Sequence, residues 1–247
     1  MHYSIMTYGK KIALVTGGNR GLGLGICSEL AKKGIKVILT ARDEAKGRQA
    51  VNSLLEMKGE VIFHQLDVTN EQSILTLTEY IEKNHGYIDI LVNNAGMIVE
   101  EDFRKPGSQL SLDAVKQTME LNFYGPLRVT QALIPLIKRT RGGRIINISA
   151  RNSFPSFAFS GWLAYKASKA CLNVMTVDLA KELEKDNITV NAVHPGSVDT
   201  DTGRYVGGGK KPTLTIQKGA QSTIWLALES PKEITGKFII DKKIVDW

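Results

Sequence analysis

Short runs rich in β-branched residues alternate along the chain with longer amphipathic segments, and this alternation constrains the fold more than any other feature. Seven runs read as strands: Lys11–Thr16, Lys36–Thr40, Val61–Leu66, Ile88–Val92, Arg144–Ser149, Ile188–Val193 and Lys237–Asp241. Between them apolar residues recur at helical spacing, as in Leu22, Ile26, Leu30 and Ala31, and again in Leu172, Met175, Leu179 and Leu183. A chain that passes through a helix after nearly every strand builds a parallel sheet, because parallel neighbours need long crossovers and right-handed crossovers put helices on both faces. The expected fold is α/β, a doubly wound seven-stranded parallel sheet. At 247 residues, 43% of them hydrophobic, the chain suits one such domain, taken as residues 1–247.

The remaining composition narrows the function classes. A net charge of +7 would suit nucleic acid if it were concentrated, but the 32 basic residues are spread along the chain without a stripe or tail, so nucleic acid is not an expected partner. A diffuse positive field suits a small anionic ligand instead. The two cysteines, Cys27 and Cys171, belong to no CxxC or Cys/His pattern, so they read as thiols in a reducing compartment and no metal is expected. The N-terminus shows no apolar run with a cleavage site. The apolar stretches are short strands such as Ile12–Val15, far below the roughly 18 residues of a membrane span. No membrane partner is expected, and the expected location is cytoplasmic. Oligomeric state is left undetermined.

The first strand runs through Thr16-Gly17-Gly18-Asn19-Arg20-Gly21-Leu22-Gly23 directly into a helix. A tight glycine turn there brings backbone N–H groups and the positive helix end toward a pyrophosphate, which makes the sheet Rossmann-like and the ligand a dinucleotide. A tight turn with no ligand is the plainer alternative. The second strand ends in Leu39-Thr40-Ala41-Arg42. An acidic residue at this point would bond a ribose 2′-hydroxyl, whereas Arg42 suits a 2′-phosphate and therefore NADP(H). Against this stands the reading of Arg20 and Arg42 as solvated charges, with Asp43 pairing with Arg42 or reaching the ribose itself.

Tyr165-Lys166-Ala167-Ser168-Lys169 opens a helical segment, so Tyr165 and Lys169 share a face. A phenol with an ordinary pKa of about 10 exchanges protons poorly near neutrality unless a cation stabilises its phenolate, and Lys169 can supply that charge. The pair suits hydride transfer between a nicotinamide and a carbonyl or alcohol carbon, with Tyr165 moving the proton. An amphipathic helix with an exposed lysine is the alternative. His194 is a rival acid/base, but it has no carboxylate or serine partner at a recognisable spacing and reads as structural.

The spacing TGxxxGxG, followed in order by Asn93-Asn94-Ala95-Gly96, Tyr165-x-x-x-Lys169 and Pro195-Gly196-x-Val198-x-Thr200, resembles the short-chain dehydrogenase/reductase family over nearly the whole chain. The resemblance implies that Thr16, Gly17, Asn19, Arg20, Gly21, Leu22 and Gly23 hold the cofactor, that Asp67 and Val68 meet its adenine, and that Asn94, Ala95 and Gly96 line it. Pro195, Gly196, Val198 and Thr200 would contact its nicotinamide half. It also implies that Tyr165 and Lys169 are the core catalytic pair, with Lys169 on the nicotinamide ribose, and that Asn122, in Asn122-Phe123-Tyr124-Gly125, helps hold a water in a proton relay. The alternative for Asn122 is that it satisfies a helix turn disturbed by Pro126. The family's NAD-selecting aspartate falls on Ala41, and Arg20 also goes with NADP. The chain departs from the family where Ser-Ser is common, reading Ser149-Ala150-Arg151-Asn152-Ser153. The usual serine falls on Ala150. Ser149 is the candidate for its role, with Ser153, or no serine at all, as the alternatives.

Leu39 to Asp43, Phe63 to Val68 and Leu133 to Lys138 are similar to the carbonyl reductase branch, which implies a small apolar ketone or aldehyde as substrate. An NADP(H)-binding redox sensor or regulator with little turnover is the other reading, favoured by the missing serine and opposed by the intact Tyr165 and Lys169. Gly203 to Lys211 reads as a mobile loop, and within Thr200 to Leu214, where substrate identity is expected to lie, Tyr205 and Gly207-Gly208-Gly209 suggest a lid. Phe154, Phe157, Phe159 and Trp162 either wall an apolar pocket or pack on the core.

Overall fold

The computed structural model describes residues 10–140, 142–157, 160–206 and 212–247. Phe159, the Gly207-Gly208-Gly209 run and the side chains of Phe157 and Tyr205 lie outside that description. The strands are β1 (Ile12–Val15), β2 (Lys36–Ala41), β3 (Val61–Gln65), β4 (Ile90–Asn93), β5 (Arg144–Ile148), β6 (Thr189–Val193), β7 (Phe238–Ile240) and β8 (Lys243–Val245). The helices are α1 (Gly21–Lys32), α2 (Glu44–Asn52), α3 (Glu71–Asn84), α4 (Glu100–Arg104), α5 (Leu112–Met119), α6 (Gly125–Ile137), α7 (Leu163–Leu183), α8 (Asp201–Val206) and α9 (Ile216–Leu228). Part of the expected loop from Gly203 is thus the end of α8.

The sheet order is β3-β2-β1-β4-β5-β6-β7-β8, and every pairing up to β7 is parallel. Strand alternation divides the core in two. Ile12 and Leu14 face α3, α6 and α7, where they meet Leu77, Leu133 and Leu172. Ala13 and Val15 face α1 and α9, where they meet Ile26, Leu30 and Ile224. Both faces are therefore covered, as near-continuous apolar strands require.

Two expectations are corrected. The sheet has eight strands rather than seven, and its last pair is antiparallel. Asp241 and Lys242 take φ values of 48° and 61°, the left-handed pair of a two-residue hairpin turn, and reverse the chain into β8. Asp-Lys lacks the usual Asn-Gly signature, and a three-residue edge strand leaves little periodicity to read. The segment around Asn122 is one long helical run, as expected, its backbone staying right-handed helical from α5 into α6. A π-helical turn over Glu120–Tyr124 joins α5 to α6 immediately before Pro126, its wider i→i+5 bonding closed by Gly125 N on Glu120 O.

Phe154 packs on the core, with its ring 4.5 Å from that of Phe238 and 6.1 Å from that of Trp247, and it also lines a cavity of about 430 Å³ beside α7. The β7–β8 hairpin thereby seals the sheet edge with aromatic area. Phe238 is fully buried, so Phe238→Ala is expected to cost about 3–5 kcal/mol. Urea denaturation monitored by circular dichroism would read this as a lowered midpoint with little change in slope.

Candidate active site

The strand order reverses between β1 and β4, so the loops leaving their carboxyl ends diverge and leave a crevice, the position where open α/β sheets bind ligands. Thr16 pins the two loops together: its Oγ1 accepts from Asn94 N at 2.9 Å and Ala95 N at 3.0 Å. Asn94 Nδ2 donates to Thr16 O at 2.9 Å and Gly17 O at 3.1 Å. Gly17 takes φ 63°, and a Cβ at Gly23 would lie only 2.3 Å from Gly17 O. Arg20, at the N-cap position of α1, offers no side-chain acceptor to the first helical N–H groups, which suits an anion there. Asn19 and Gly21 are half-buried in the same loop, and Leu22 leans on the core. Across the crevice, a Cβ at Gly21 would lie 3.2 Å from Thr200 Cγ2, and Arg20 pairs with Asp201 at 3.4 Å.

A cavity of about 650 Å³ lies at the ends of β2 and β3, lined in part by Arg42, Arg48, His64 and Asp67. Arg42 is exposed and forms no ion pair among the described residues. Asp43 neither pairs with it nor reaches the cavity. It caps α2 by accepting from Lys46 N at 3.0 Å, and these hydrogen bonds hold its carboxyl below the ordinary range. Asp67 is not the cap of α3, a role taken by Asn70; it accepts from Thr69 N and Oγ1 at 2.9 and 2.7 Å. Val68 is buried against Gly125, where a Cβ would come within 2.8 Å of it. The close-approach glycines, the open helix end and the cavity where Arg42 stands without an ion-pair partner among the described residues together fit a dinucleotide.

Tyr165 and Lys169 lie one turn apart on α7, with Lys169 Nζ 5.8 Å from the phenol ring centroid. Lys169 is buried and donates to Ile148 O at 2.8 Å. Burial lowers its pKa to about 8 and raises that of Tyr165 to about 12. The expected depression of the phenol by the ammonium is therefore outweighed by desolvation. Asn122, fully buried in the π turn, accepts from Met97 N at 2.8 Å and donates to Met97 O at 2.8 Å and Ser168 Oγ at 3.1 Å. A Cβ at Gly96 would lie 3.3 Å from Asn122 Oδ1 and 3.5 Å from Lys169 Nζ, so these three residues adjoin. Gly196, with φ 82°, turns the chain after β6, and buried Val198 bridges to Leu214. Thr200 Oγ1 accepts from Gly203 N at 2.9 Å.

Ser149 adjoins this group through the backbone of Lys169, its Oγ 3.5 Å from Lys169 O. Its hydroxyl donates to Asn173 Oδ1 at 2.6 Å, one turn beyond Lys169. Asn173 Nδ2 in turn donates to Ser153 Oγ at 2.9 Å, and Ser153 Oγ donates to Ala150 O at 2.6 Å. Both serines are thus committed to one asparagine, and Ala150 stands extended between them at φ −146°. Burial and the Arg151 cation push His194 down to about 4, so its imidazole is neutral near neutrality, a poor general acid.

The family model described as short chain dehydrogenase matches residues 11–210. The chain belongs to the short-chain dehydrogenase/reductase family. It is 32% identical to (+)-neomenthol dehydrogenase of Arabidopsis thaliana, covering 96% of this chain and 98% of that one. It is also 32% identical to carbonyl reductase [NADPH] 1 of Mus musculus, covering 98% and 100%. Among solved structures it resembles salutaridine reductase from Papaver somniferum, with a TM-score of 0.79, 30% identity and coverage of 93% and 99%. These relatives bear out the resemblance to the carbonyl reductase branch and make the chain an oxidoreductase of this family, whose dehydrogenases bind nicotinamide cofactors.

Within this member of the short-chain dehydrogenase/reductase family, several residues around the site carried no motif signal. Asn93 donates to Thr130 Oγ1 and Asn147 Oδ1 at 2.9 and 2.8 Å, and Asn147 donates to Thr176 Oγ1 at 2.9 Å, a buried polar chain beneath the crevice. Asn147 interrupting an apolar strand was its one visible sign. Asp102 and Asn173 gave none. Among the described residues no group of His, Cys, Asp and Glu could hold a metal ion, and no helix is long and apolar enough to cross a membrane. Overpacking against backbone costs about 1–3 kcal/mol, so Gly23→Ala is expected to weaken nicotinamide dinucleotide binding roughly tenfold or more, read by fluorescence titration.

Proposed function

We propose that the chain is a cytoplasmic NADP(H)-dependent carbonyl reductase, acting on a small apolar ketone or aldehyde, with residues 1–247 as one catalytic domain. The observation that carries this reading is the placement of Tyr165 and buried Lys169 on one face of α7, with the Lys169 ammonium 5.8 Å from the phenol ring. NADP(H), when bound, would supply or accept the hydride. Thr16, Gly17, Gly21 and Gly23 with the first turn of α1 would hold its pyrophosphate, Arg42 and Arg20 its 2′-phosphate, and Asp67 and Val68 its adenine side. Asn94, Ala95 and Gly96, and Pro195, Gly196, Val198 and Thr200, would line the rest. Arg42 without an ion-pair partner among the described residues supports NADP(H) over NAD(H).

Tyr165 is the general acid in reduction. A phenol held at about 12 keeps its proton until a substrate oxygen takes it. Lys169, at about 8, is mostly charged near neutrality, stabilises the phenolate left behind and would bond the nicotinamide ribose. Asn122 adjoins Lys169 across Gly96, consistent with a relay that returns a proton through water. The serine position is vacant: Ser149 and Ser153 are engaged with Asn173, and Ala150 has no donor. That vacancy also favours a second reading, an NADP(H)-binding redox sensor with little turnover.

Tyr165→Phe is expected to lower NADPH oxidation on ketone and aldehyde substrates by roughly 100-fold while NADPH binding stays near wild type. Undiminished turnover would remove Tyr165 from the mechanism, and an equal rate with NADH would remove the NADP(H) preference. One preorganised donor to a developing oxyanion contributes roughly 3–4 kcal/mol, so Ala150→Ser is expected to raise turnover and Ser149→Ala to leave it nearly unchanged. A strong loss in Ser149→Ala would return the role to that residue, and an absence of turnover in wild type and Ala150→Ser alike would favour the sensor.

A further inference from the structure

We propose that Asp102 is a positioning residue for Tyr165, holding the first turn of the catalytic helix in place from a segment that follows β4. α7 runs for 21 residues, and its N-cap position is occupied by Trp162, whose side chain caps no helical N–H. An indole has no acceptor to offer the orphaned amides of the first turn. Trp162 also sits at φ 56°, a left-handed conformation that a bulky residue adopts only when its surroundings impose it.

The missing acceptors come from Asp102, 1% exposed and 62 residues before Ala164 in the chain. Its Oδ1 accepts from Ala164 N at 3.1 Å and its Oδ2 from Tyr165 N at 2.8 Å. Its backbone oxygen accepts from Trp162 N at 3.3 Å, and the neighbouring Phe103 ring stacks on Trp162 at 5.8 Å and 25°. A serine or threonine at position 162 would cap the helix locally. The chain instead commits a buried carboxylate, which is costly unless fully hydrogen-bonded, and a strained tryptophan. This arrangement adds what a local cap cannot, a tie between α7 and α4.

The tie closes a ring. Met97, five residues before Asp102, is bonded in both directions to Asn122. Asn122 donates to Ser168 Oγ, and Ser168 Oγ donates to Tyr165 O at 2.7 Å. Tyr165 is therefore held through its own N–H by Asp102 and through its own C=O by Ser168. Slip or rotation of this first turn displaces the phenol, and misplacement of a reacting group by about 1 Å can cost on the order of 100-fold in rate.

The inference rests on the reading of Tyr165 as acid/base, so Tyr165→Phe is assayed alongside. In Asp102→Ala, kcat per NADPH-binding site is expected to fall roughly tenfold or more with the NADPH Kd nearly unchanged, and in the isosteric Asp102→Asn, which keeps one acceptor oxygen, to fall less. Amide exchange at Ala164 and Tyr165 is expected to quicken in both variants. If Asp102→Ala does not fold, Asp102→Asn carries the test through the same two measurements. Unchanged kcat per binding site beside a crippled Tyr165→Phe overturns the positioning role alone. Full turnover in Tyr165→Phe overturns the acid/base reading and the positioning role with it.

Discussion

The parallel pairing of β1 with β4 is the constraint on which the rest depends. Parallel strands cannot be joined by tight turns, so each crossover returns the chain to the same end of the sheet, and successive carboxyl ends open on one edge. The order reversal between these two strands splits that edge. Thr16 and Asn94 then span the split with four hydrogen bonds, which turns two diverging loops into one rigid floor. The crevice is thus a by-product of topology that short polar side chains have stiffened.

Beneath that floor the protein buries amides where an apolar core would have sufficed. Asn93, Asn147, Thr130 and Thr176 link β4, β5, α6 and α7 in one chain of hydrogen bonds. Such a network stabilises only when its geometry is kept, so it favours one relative placement of sheet and helices over near alternatives. The π turn over Glu120–Tyr124 serves the same end, turning Asn122 toward Met97 and Ser168 instead of leaving it on a regular helical face.

Burial acts on Tyr165 and Lys169 in opposite directions, holding the proton on Tyr165 and loosening it on Lys169. The same low-polarity setting that makes the phenol a reluctant base makes it a well-kept donor. Lys169 remains anchored through Ile148 O, so its charge stays beside the ring rather than reaching into solvent.

Local spacing determined much of this in advance. Periodicities of two and of 3.6 residues are properties of adjacent side chains, so the first seven strands, the long helices and the shared face of Tyr165 and Lys169 were legible without a structure. The glycine loop was legible because a close backbone approach excludes side chains at Gly23 wherever the rest of the chain goes. Tertiary structure alone decided the remainder. β8 exists because β7 offers it an edge and Phe154, Phe238 and Trp247 pack over the junction. Ser149 faces Asn173, and Asp43 and Asp67 bond their own local backbone or hydroxyl groups, because neighbours made available by packing compete for each polar group. Asp102 reaches Tyr165 across 63 residues of chain, a contact no spacing encodes, since it forms only when α4 and α7 have both been placed by the sheet between them.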